Sequence, residues 1–420
     1  MSKFVITGGK KLNGEIAVMG AKNAALKILA ASLLSPAEVK VTNCPNIEEV
    51  NRLLELMKTI GTEFDRQDDV VVLKTPKISS VALDPDLVRK IRVSVLLVGP
   101  LLARVGEVKI PHPGGCAIGQ RPIDLFVEGF KRLGAEVKED ADGYTFKVKK
   151  RLTGMTYVFP KISVTVTEAL MMTATLAEGT TVLKNAACEP EIPALAEYLN
   201  RVGAKISGAG THTITIEGVS ELGGGTYEVL PDRVEAGSFA ILGALCGQDL
   251  KITNCRPEHL ESLWTMFDTM GVDYHLGDNW VQVFGNPSKY KAVDVITHEY
   301  PGFPTDLQAP FTVLLTQATG LSMVFETIFE SRLFYTDMLN QMGGRIIMCD
   351  PHRVIVSGPT PLFGRKLTSP DLRAGFAMVL AALAAEGTTE IDNIYQIDRG
   401  YSNLEKRLQN IGAEIKRIVE

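Results

Sequence analysis

The residue whose type and setting point most directly to chemistry is Cys116, in the run Pro111-His112-Pro113-Gly114-Gly115-Cys116-Ala117-Ile118-Gly119-Gln120-Arg121-Pro122-Ile123-Asp124. Glycines at that density suit close approach of backbone to a ligand, or movement as a lid. An unpaired cysteine is ordinarily a small buried hydrophobe, and Cys44, Cys188, Cys246, Cys255 and Cys349 are read that way from their apolar or turn contexts. Cys116 has little apolar company, and Arg121 stands near it in sequence. A thiol so placed can serve as acid or nucleophile.

A second candidate is Asp306, in Phe303-Pro304-Thr305-Asp306 at the first turn of an apolar, helix-like segment. Its plain reading is a helix cap, which is also the first reading of Asp232 and Asp371. Arg332, Arg373 and Arg399 have surface ion pairing as their ordinary fate. They nevertheless occupy equivalent loop or helix-start positions, which points to convergence on one anion. His112 has no visible carboxylate partner and reads as polar surface before it reads as a base.

The elements that must position these groups come from a repeat. The phrase "apolar, Gly, small, charged, apolar" occurs as IGTEF, LGAEV, VGAKI, MGVDY, MGGRI and IGAEI, with glycines at 61, 134, 203, 271, 343 and 412. A period near 70 means one supersecondary unit used six times. Each copy opens with a helix apolar nearly all round, such as NAALKILAASLL, VSVLLVGPLLARV or LRAGFAMVLAALA, as expected of helices buried between layers. A short strand, a turn, a more amphipathic helix closed by the repeat glycine, and further strands follow. The last copy lacks its closing strands, while Phe4 to Thr7 and Gly14 to Val18 precede the first copy unattached. The N-terminus is therefore expected to complete the C-terminal copy. That gives an α/β chain of two similar domains of three helix-sheet repeats, 22–230 continuous and 1–21 plus 231–420 discontinuous, with a hinge at the two crossings and the site in the interdomain cleft.

Two loops recur in every copy, before each helix. Polar residues gather there: Lys22 and Asn23, Arg92, Ser163, Asp232 and Arg233, Asp306, and Asp371 with Arg373 before helix one. The Cys116 and Arg121 loop, Glu330 with Arg332, and Asp398 with Arg399 precede helix two. Helix N-termini supplemented by Lys and Arg suit phosphates and carboxylates. The ligand is expected to be polyanionic.

Composition excludes other classes. A net charge of −5 with scattered Lys and Arg gives no footprint for nucleic acid. The start MSKFVITGGKKL has no apolar signal core and no apolar stretch is long enough to span a bilayer, so a cytoplasmic protein is expected. The six cysteines form no CxxC pair and the six histidines lie far apart. Neither a disulfide framework nor a metal site is indicated.

Together these residues resemble the enolpyruvyl transferase family over the whole chain. The match is carried by Gly20-Ala21-Lys22-Asn23-Ala24-Ala25-Leu26, Pro113-Gly114-Gly115-Cys116-Ala117-Ile118-Gly119, Arg121-Pro122-Ile123-Asp124-Leu125, Phe303-Pro304-Thr305-Asp306, Asp371-Leu372-Arg373-Ala374 and Ile397-Asp398-Arg399-Gly400-Tyr401. The resemblance implies an inside-out α/β barrel architecture and transfer of the enolpyruvyl group of phosphoenolpyruvate to the 3-hydroxyl of UDP-N-acetylglucosamine, without metal or organic cofactor and with no obligate protein partner. It implies that Cys116 protonates C3 of phosphoenolpyruvate and can form an adduct, and that Asp306 is the base at the attacking hydroxyl. Lys22, Arg121 and Arg399 would hold the phosphate, with Arg332 and Arg373 near the carboxylate. Asn23 and Ile328 would touch the sugar, Arg92 and the stretch Lys161 to Val164, with Ser163, the diphosphate, and Arg121, Pro122, Ile123, Asp124 and Leu125 the uracil edge.

The chain departs from the family pattern at Gln120, Phe126 and Thr165, where a small residue, a histidine and a glycine are common. A side chain at 165 limits backbone approach to the diphosphate. A shikimate 3-phosphate-using branch of the family would be expected to show a Gly-Ser-Lys-Ser start and an Asn-Ala-Gly-Thr loop without the thiol. A silent UDP-sugar-binding regulator would have no need of Cys116, Asp306, Lys22 and the arginines together.

Overall fold

The computed structural model describes residues 2–112 and 123–419. They fall into two compact units, 2–19 with 231–419 and 20–112 with 123–230. Each unit is built on three helices that open the repeats: Lys22–Ala31, Val98–Val105 and Val164–Ala174 in one, Arg233–Cys246, Thr305–Leu315 and Leu372–Ala384 in the other. Their all-round apolar composition matches their burial. In Arg233–Cys246 every residue after Arg233 is buried, and in Leu372–Ala384 all from Arg373 to Leu383 are. Each large apolar side chain so enclosed contributes about 1.5–3 kcal/mol. The helix expected over Val93 to Val105 is shorter, because its start, Arg92–Leu97, is 3₁₀. Pro100 can donate no hydrogen bond to the turn before it, so the α-helix begins only at Val98.

The second helix of each repeat ends as its glycine requires. Gly61, Gly134, Gly203, Gly271, Gly343 and Gly412 all have positive φ, from 81° to 111°, a left-handed conformation that a Cβ would strain. The chain then reverses into strands that pack over the buried helices.

Among the described residues the strands form five four-stranded sheets and one three-stranded sheet. No single sheet among the described residues runs round either unit; most repeats instead donate a strand to the next, and the first gives the second only the isolated bridge between Ala82 and Lys109. Thr156–Val158 pairs in parallel with Thr180–Lys184, and Gly225–Glu228 returns to Val39–Thr42 of the first repeat. In the other unit Val295–Ile296 joins Gly320–Phe325 and Lys366–Thr368 joins Thr388–Asp392. The N-terminus performs two of these tasks. Ser2–Thr7 lies between Thr388–Asp392 and Glu414–Val419, completing the sixth sheet, while Leu12–Ala17 runs parallel to Gly247–Thr253 and completes the fourth. Main-chain hydrogen bonds thus tie the first residues to the last, a pairing the 70-residue period required.

A recurring asparagine fixes the turn before helix two. Asn43, Asn185, Asn254 and Asn393 have φ of 52°, 57°, 51° and 58°, a region asparagine tolerates better than most residues. Their side-chain amides donate to the carbonyls of Val229, Phe159, Val18 and Ser369, each the residue just beyond a donated strand. The fifth repeat has Glu326 at this position.

Candidate active site

Asp306 does not cap its helix. The cap residue of Thr305–Leu315 is Pro304, with no side-chain cap bond, and the Asp306 carboxylate receives two arginines instead. Arg332 Nη2 donates to Oδ1 at 2.7 Å; Arg373 Nη2 and Nε donate to Oδ2 at 3.0 and 3.2 Å. The two guanidinium side chains are 4% and 6% exposed and that of Asp306 27%. Charge-assisted bonds of this kind are the strong ones, and neither arginine is the surface partner its residue type suggested. By contrast, Asp232 accepts from the amides of Val234 and Glu235, and Asp371 from those of Arg373 and Ala374, so both cap their helices as expected.

The arginines are held from behind. Arg373 Nη1 donates to the hydroxyl of Tyr401 at 3.3 Å, and that ring stacks on Phe376 with centroids 4.4 Å apart. Burial opposes the charge on Arg373, but Asp306, Tyr401 and Asp232 outweigh it and hold the guanidinium firmly protonated. Burial pushes the Tyr401 phenol up, against the pull of Arg373. Arg332 Nη1 donates to Thr305 Oγ1 at 2.8 Å, and Thr305 in turn donates to Glu326 Oε2 at 2.7 Å. Glu326 is fully buried.

Arg399, half-buried at the end of the short helix Tyr395–Asp398, donates to Gln396 Oε1 at 3.1 Å. Its neighbour Asp398 is committed to Arg417, which grips both its oxygens. Ile328 is half-buried and its amide donates to Glu326.

In the other unit Lys22 begins its helix and donates from Nζ to Glu49 Oε2 at 2.7 Å, both side chains largely buried. Asn23 follows it, half-buried, and Arg92 opens its 3₁₀ turn, also half-buried. Ser163 precedes Val164–Ala174 in an extended conformation with no side-chain cap bond. Thr165, half-buried, sits in the first turn of that helix, and Lys161 is exposed just before it. Ile123 is buried, Asp124 begins the helix Asp124–Arg132 and is exposed, and Leu125 is half-buried. Cys116, Arg121 and Pro122 lie outside the described residues.

His112 is exposed, with Nε2 3.0 Å from the carbonyl of Asp140 and its ring edge-on to Tyr144, in keeping with polar surface. Burial pushes the Cys44, Cys246 and Cys255 thiols up to about 11, 12 and 11, as inert core cysteines require. The same reading fails for two others. Cys349 is exposed and Cys188 only partly buried, with Sγ 3.5 Å from His212 Nδ1. The apolar neighbours of Cys349 in sequence, Ile347 and Met348, are themselves exposed on the strand Arg345–Asp350.

Sequence reasoning missed Glu326, Thr305 and Glu49. Glu326 left a signal, because it replaces the turn asparagine of four other repeats. Thr305 and Glu49 left none beyond proximity to motif residues. Among the described residues no three or more His, Cys, Asp or Glu side chains gather as metal ligands, and no helix is long and apolar enough to cross a membrane.

Repeats, buried helices and a carboxylate clasped by two arginines define a class. The profile of EPSP synthase (3-phosphoshikimate 1-carboxyvinyltransferase) matches residues 6–408, and the chain belongs to this enolpyruvyl transferase family. Its relatives include a protein of Koribacter versatilis named UDP-N-acetylglucosamine 1-carboxyvinyltransferase, 45% identical over 100% of this chain and 97% of the other. The solved enolpyruvyl transferase NikO from Streptomyces tendae superposes with a TM-score of 0.91 at 25% identity, covering 100% of this chain and 99% of that one. EPSP synthase from Acinetobacter baumannii, 16% identical with both chains fully covered, shares the fold at a TM-score of 0.75.

Proposed function

We propose that the chain transfers the enolpyruvyl group of phosphoenolpyruvate to the 3-hydroxyl of UDP-N-acetylglucosamine with release of phosphate, the first committed step of peptidoglycan synthesis. What carries the reading is the clasp of Asp306 by Arg332 and Arg373 in a chain 45% identical along its length to a carboxyvinyltransferase acting on that sugar nucleotide. The same reading makes it a cytoplasmic enzyme on which cell-wall growth, and so cell shape and division, depend.

In this reading Cys116 delivers a proton to C3 of phosphoenolpyruvate, and the carbon–carbon double bond supplies the electron pair. C2 then carries oxocarbenium character, and the sugar hydroxyl adds there while Asp306 takes its proton. Loss of a proton from C3 re-forms the double bond and expels phosphate. Both oxygens of Asp306 are occupied by guanidiniums, an arrangement that restrains it from acting on an arbitrary hydroxyl. An incoming carboxylate drawn to Arg332 and Arg373 would compete for those same donors and free Asp306 when the donor substrate is present. Fixed cations set before the reaction contribute most in a site that excludes water. Lys22, Arg121 and Arg399 would take the phosphate, Asn23 and Ile328 the sugar, and the free amides at the start of Val164–Ala174, with Lys161, Ser163 and Arg92, the diphosphate. Ile123, Asp124 and Leu125, with Arg121 and Pro122, would bound the uracil. As a nucleophile the same thiol would add to C2 of phosphoenolpyruvate and carry an adduct at Cys116.

The deciding assay measures phosphate released from phosphoenolpyruvate with UDP-N-acetylglucosamine or shikimate 3-phosphate as acceptor. Release with the sugar nucleotide alone is expected. Release with shikimate 3-phosphate instead, or with neither, overturns the reading.

A further inference from the structure

Glu326 marks a place where one repeat breaks a rule that four others keep. In four repeats an asparagine with positive φ holds the residue beyond the donated strand through its carbonyl. In the fifth, the corresponding residue is Thr297, whose amide donates to Phe325 just as Val229 donates to Thr42. Glu326 accepts from the Thr297 hydroxyl at 3.1 Å rather than donating to a carbonyl. The carbonyl of Thr297 accepts instead from the Thr327 hydroxyl, which leaves the acid for another use.

Its other contacts show that use. Oε1 also accepts from the amides of Ile328 and Phe329 at 2.8 and 3.2 Å, and Oε2 accepts from Thr305 Oγ1 at 2.7 Å. The backbone that carries it is fixed on both sides, since its amide donates to the carbonyl of His352 and its carbonyl lies 2.7 Å from His352 Nδ1. A carboxylate can only accept. The Thr305 proton must therefore point at Glu326, which leaves the hydroxyl lone pairs for Arg332 Nη1. The neighbouring guanidinium nitrogen of Arg332 holds Asp306.

We propose that Glu326 is a positioning residue for enolpyruvyl transfer: it orients the Thr305 hydroxyl so that Arg332 is seated on Asp306, and it separately seats the loop bearing Ile328. The proposal rests on the transferase reading above. A glutamine at 326 keeps one oxygen for the two amides but turns a donor toward Thr305. With no acceptor to hold it, the hydroxyl proton loses its fixed direction, and the lone pair that receives Arg332 is no longer held in place. Loop seating survives, whereas the seating of Arg332 loses the orientation that Glu326 imposes.

The test is steady-state phosphate release by the full chain. Glu326→Gln is expected to lower kcat roughly tenfold to a hundredfold, the scale of a small misplacement at a reacting centre, with KM for the sugar nucleotide within about twofold. Glu326→Ala, which removes the amide acceptor too, is expected to raise that KM as well. Thr305→Val should reproduce the kcat loss, Thr305→Ser should recover most of it, and combining Glu326→Gln with Thr305→Val should be no worse than either alone. Melting curves accompany each variant. Lowered stability with unchanged kcat in Glu326→Gln, or fully additive losses in the double variant, would overturn the proposal. If Glu326→Gln does not fold, the Thr305 pair decides alone, and equal kcat in Thr305→Val and the parent refutes the relay. A parent chain that releases no phosphate strikes at the transferase reading instead.

Discussion

Replacing Asp306 with asparagine removes the one charge that two buried guanidiniums share. Arg332 and Arg373 are 4% and 6% exposed, and the amide of an asparagine can accept from one of them but presents N–H groups to the other. Removing one partner of a buried ion pair costs about 3–5 kcal/mol. Here about 2–3 kcal/mol is expected, because Asp306 retains 27% of its side-chain surface in water and because Asp232 and Tyr401 still favour the charge on Arg373. For a unit of this size each kcal/mol moves the midpoint about 2–4 °C, so the transition of the 2–19 and 231–419 unit should fall by about 4–12 °C. Differential scanning calorimetry measures it directly. The freed arginines should then favour a replacement anion, so inorganic phosphate should raise the midpoint of Asp306→Asn more than that of the parent. Turnover should drop by about a hundredfold to ten-thousandfold if the carboxylate is the general base. A midpoint within a degree of the parent, or equal phosphate stabilisation of both, would refute the view that the arginines depend on this carboxylate.

Other outcomes follow from single residues. Cys116→Ser should abolish covalent labelling by an epoxide phosphonate such as fosfomycin, checked by intact mass; retained labelling moves the reactive thiol elsewhere. Asp232→Ala removes two cap bonds and a charge that helps hold Arg373, and should cost about 1–2 kcal/mol in urea unfolding. Gly20→Ala would set a Cβ 1.7 Å from the carbonyl oxygen of Asn43; the backbone must shift, and destabilisation of about 1–3 kcal/mol or more is expected by the same measurement. Burial pushes the Glu168 carboxyl up to about 8, against Lys27 at 3.3 Å. Because the folded chain then holds a proton that the unfolded chain has released, stability of the unit formed by 20–112 with 123–230 should fall as pH rises from about 4.5 to 8. Glu168→Gln should flatten that decline, seen as melting midpoints across the same range; an unchanged slope assigns it to other groups.

The amino-acid sequence by itself determined the number and kind of repeats, because a helix buried between layers is largely apolar on every face and a left-handed helix end favours glycine. Those are local demands, visible at Gly61, Gly134, Gly203, Gly271, Gly343 and Gly412 and in runs such as LRAGFAMVLAALA. It also marked Asp306, Arg332 and Arg373 as motif residues, yet Asp306, Asp371 and Asp232 all looked like helix caps. Only the tertiary structure separated them, since Asp306 meets arginines 26 and 67 residues away in the chain while the other two accept amides two and three residues ahead. Which strands the N-terminus completes was half legible: the missing strands of the last repeat pointed to Ser2–Thr7, whereas the pairing of Leu12–Ala17 with the fourth repeat needed the ring to be closed. Glu326 stood in the sequence as a departure from an asparagine pattern, but its meaning lay in where its two oxygens point. A hydrogen-bond partner is chosen by distance and direction in space, and those are fixed only when separate repeats pack together.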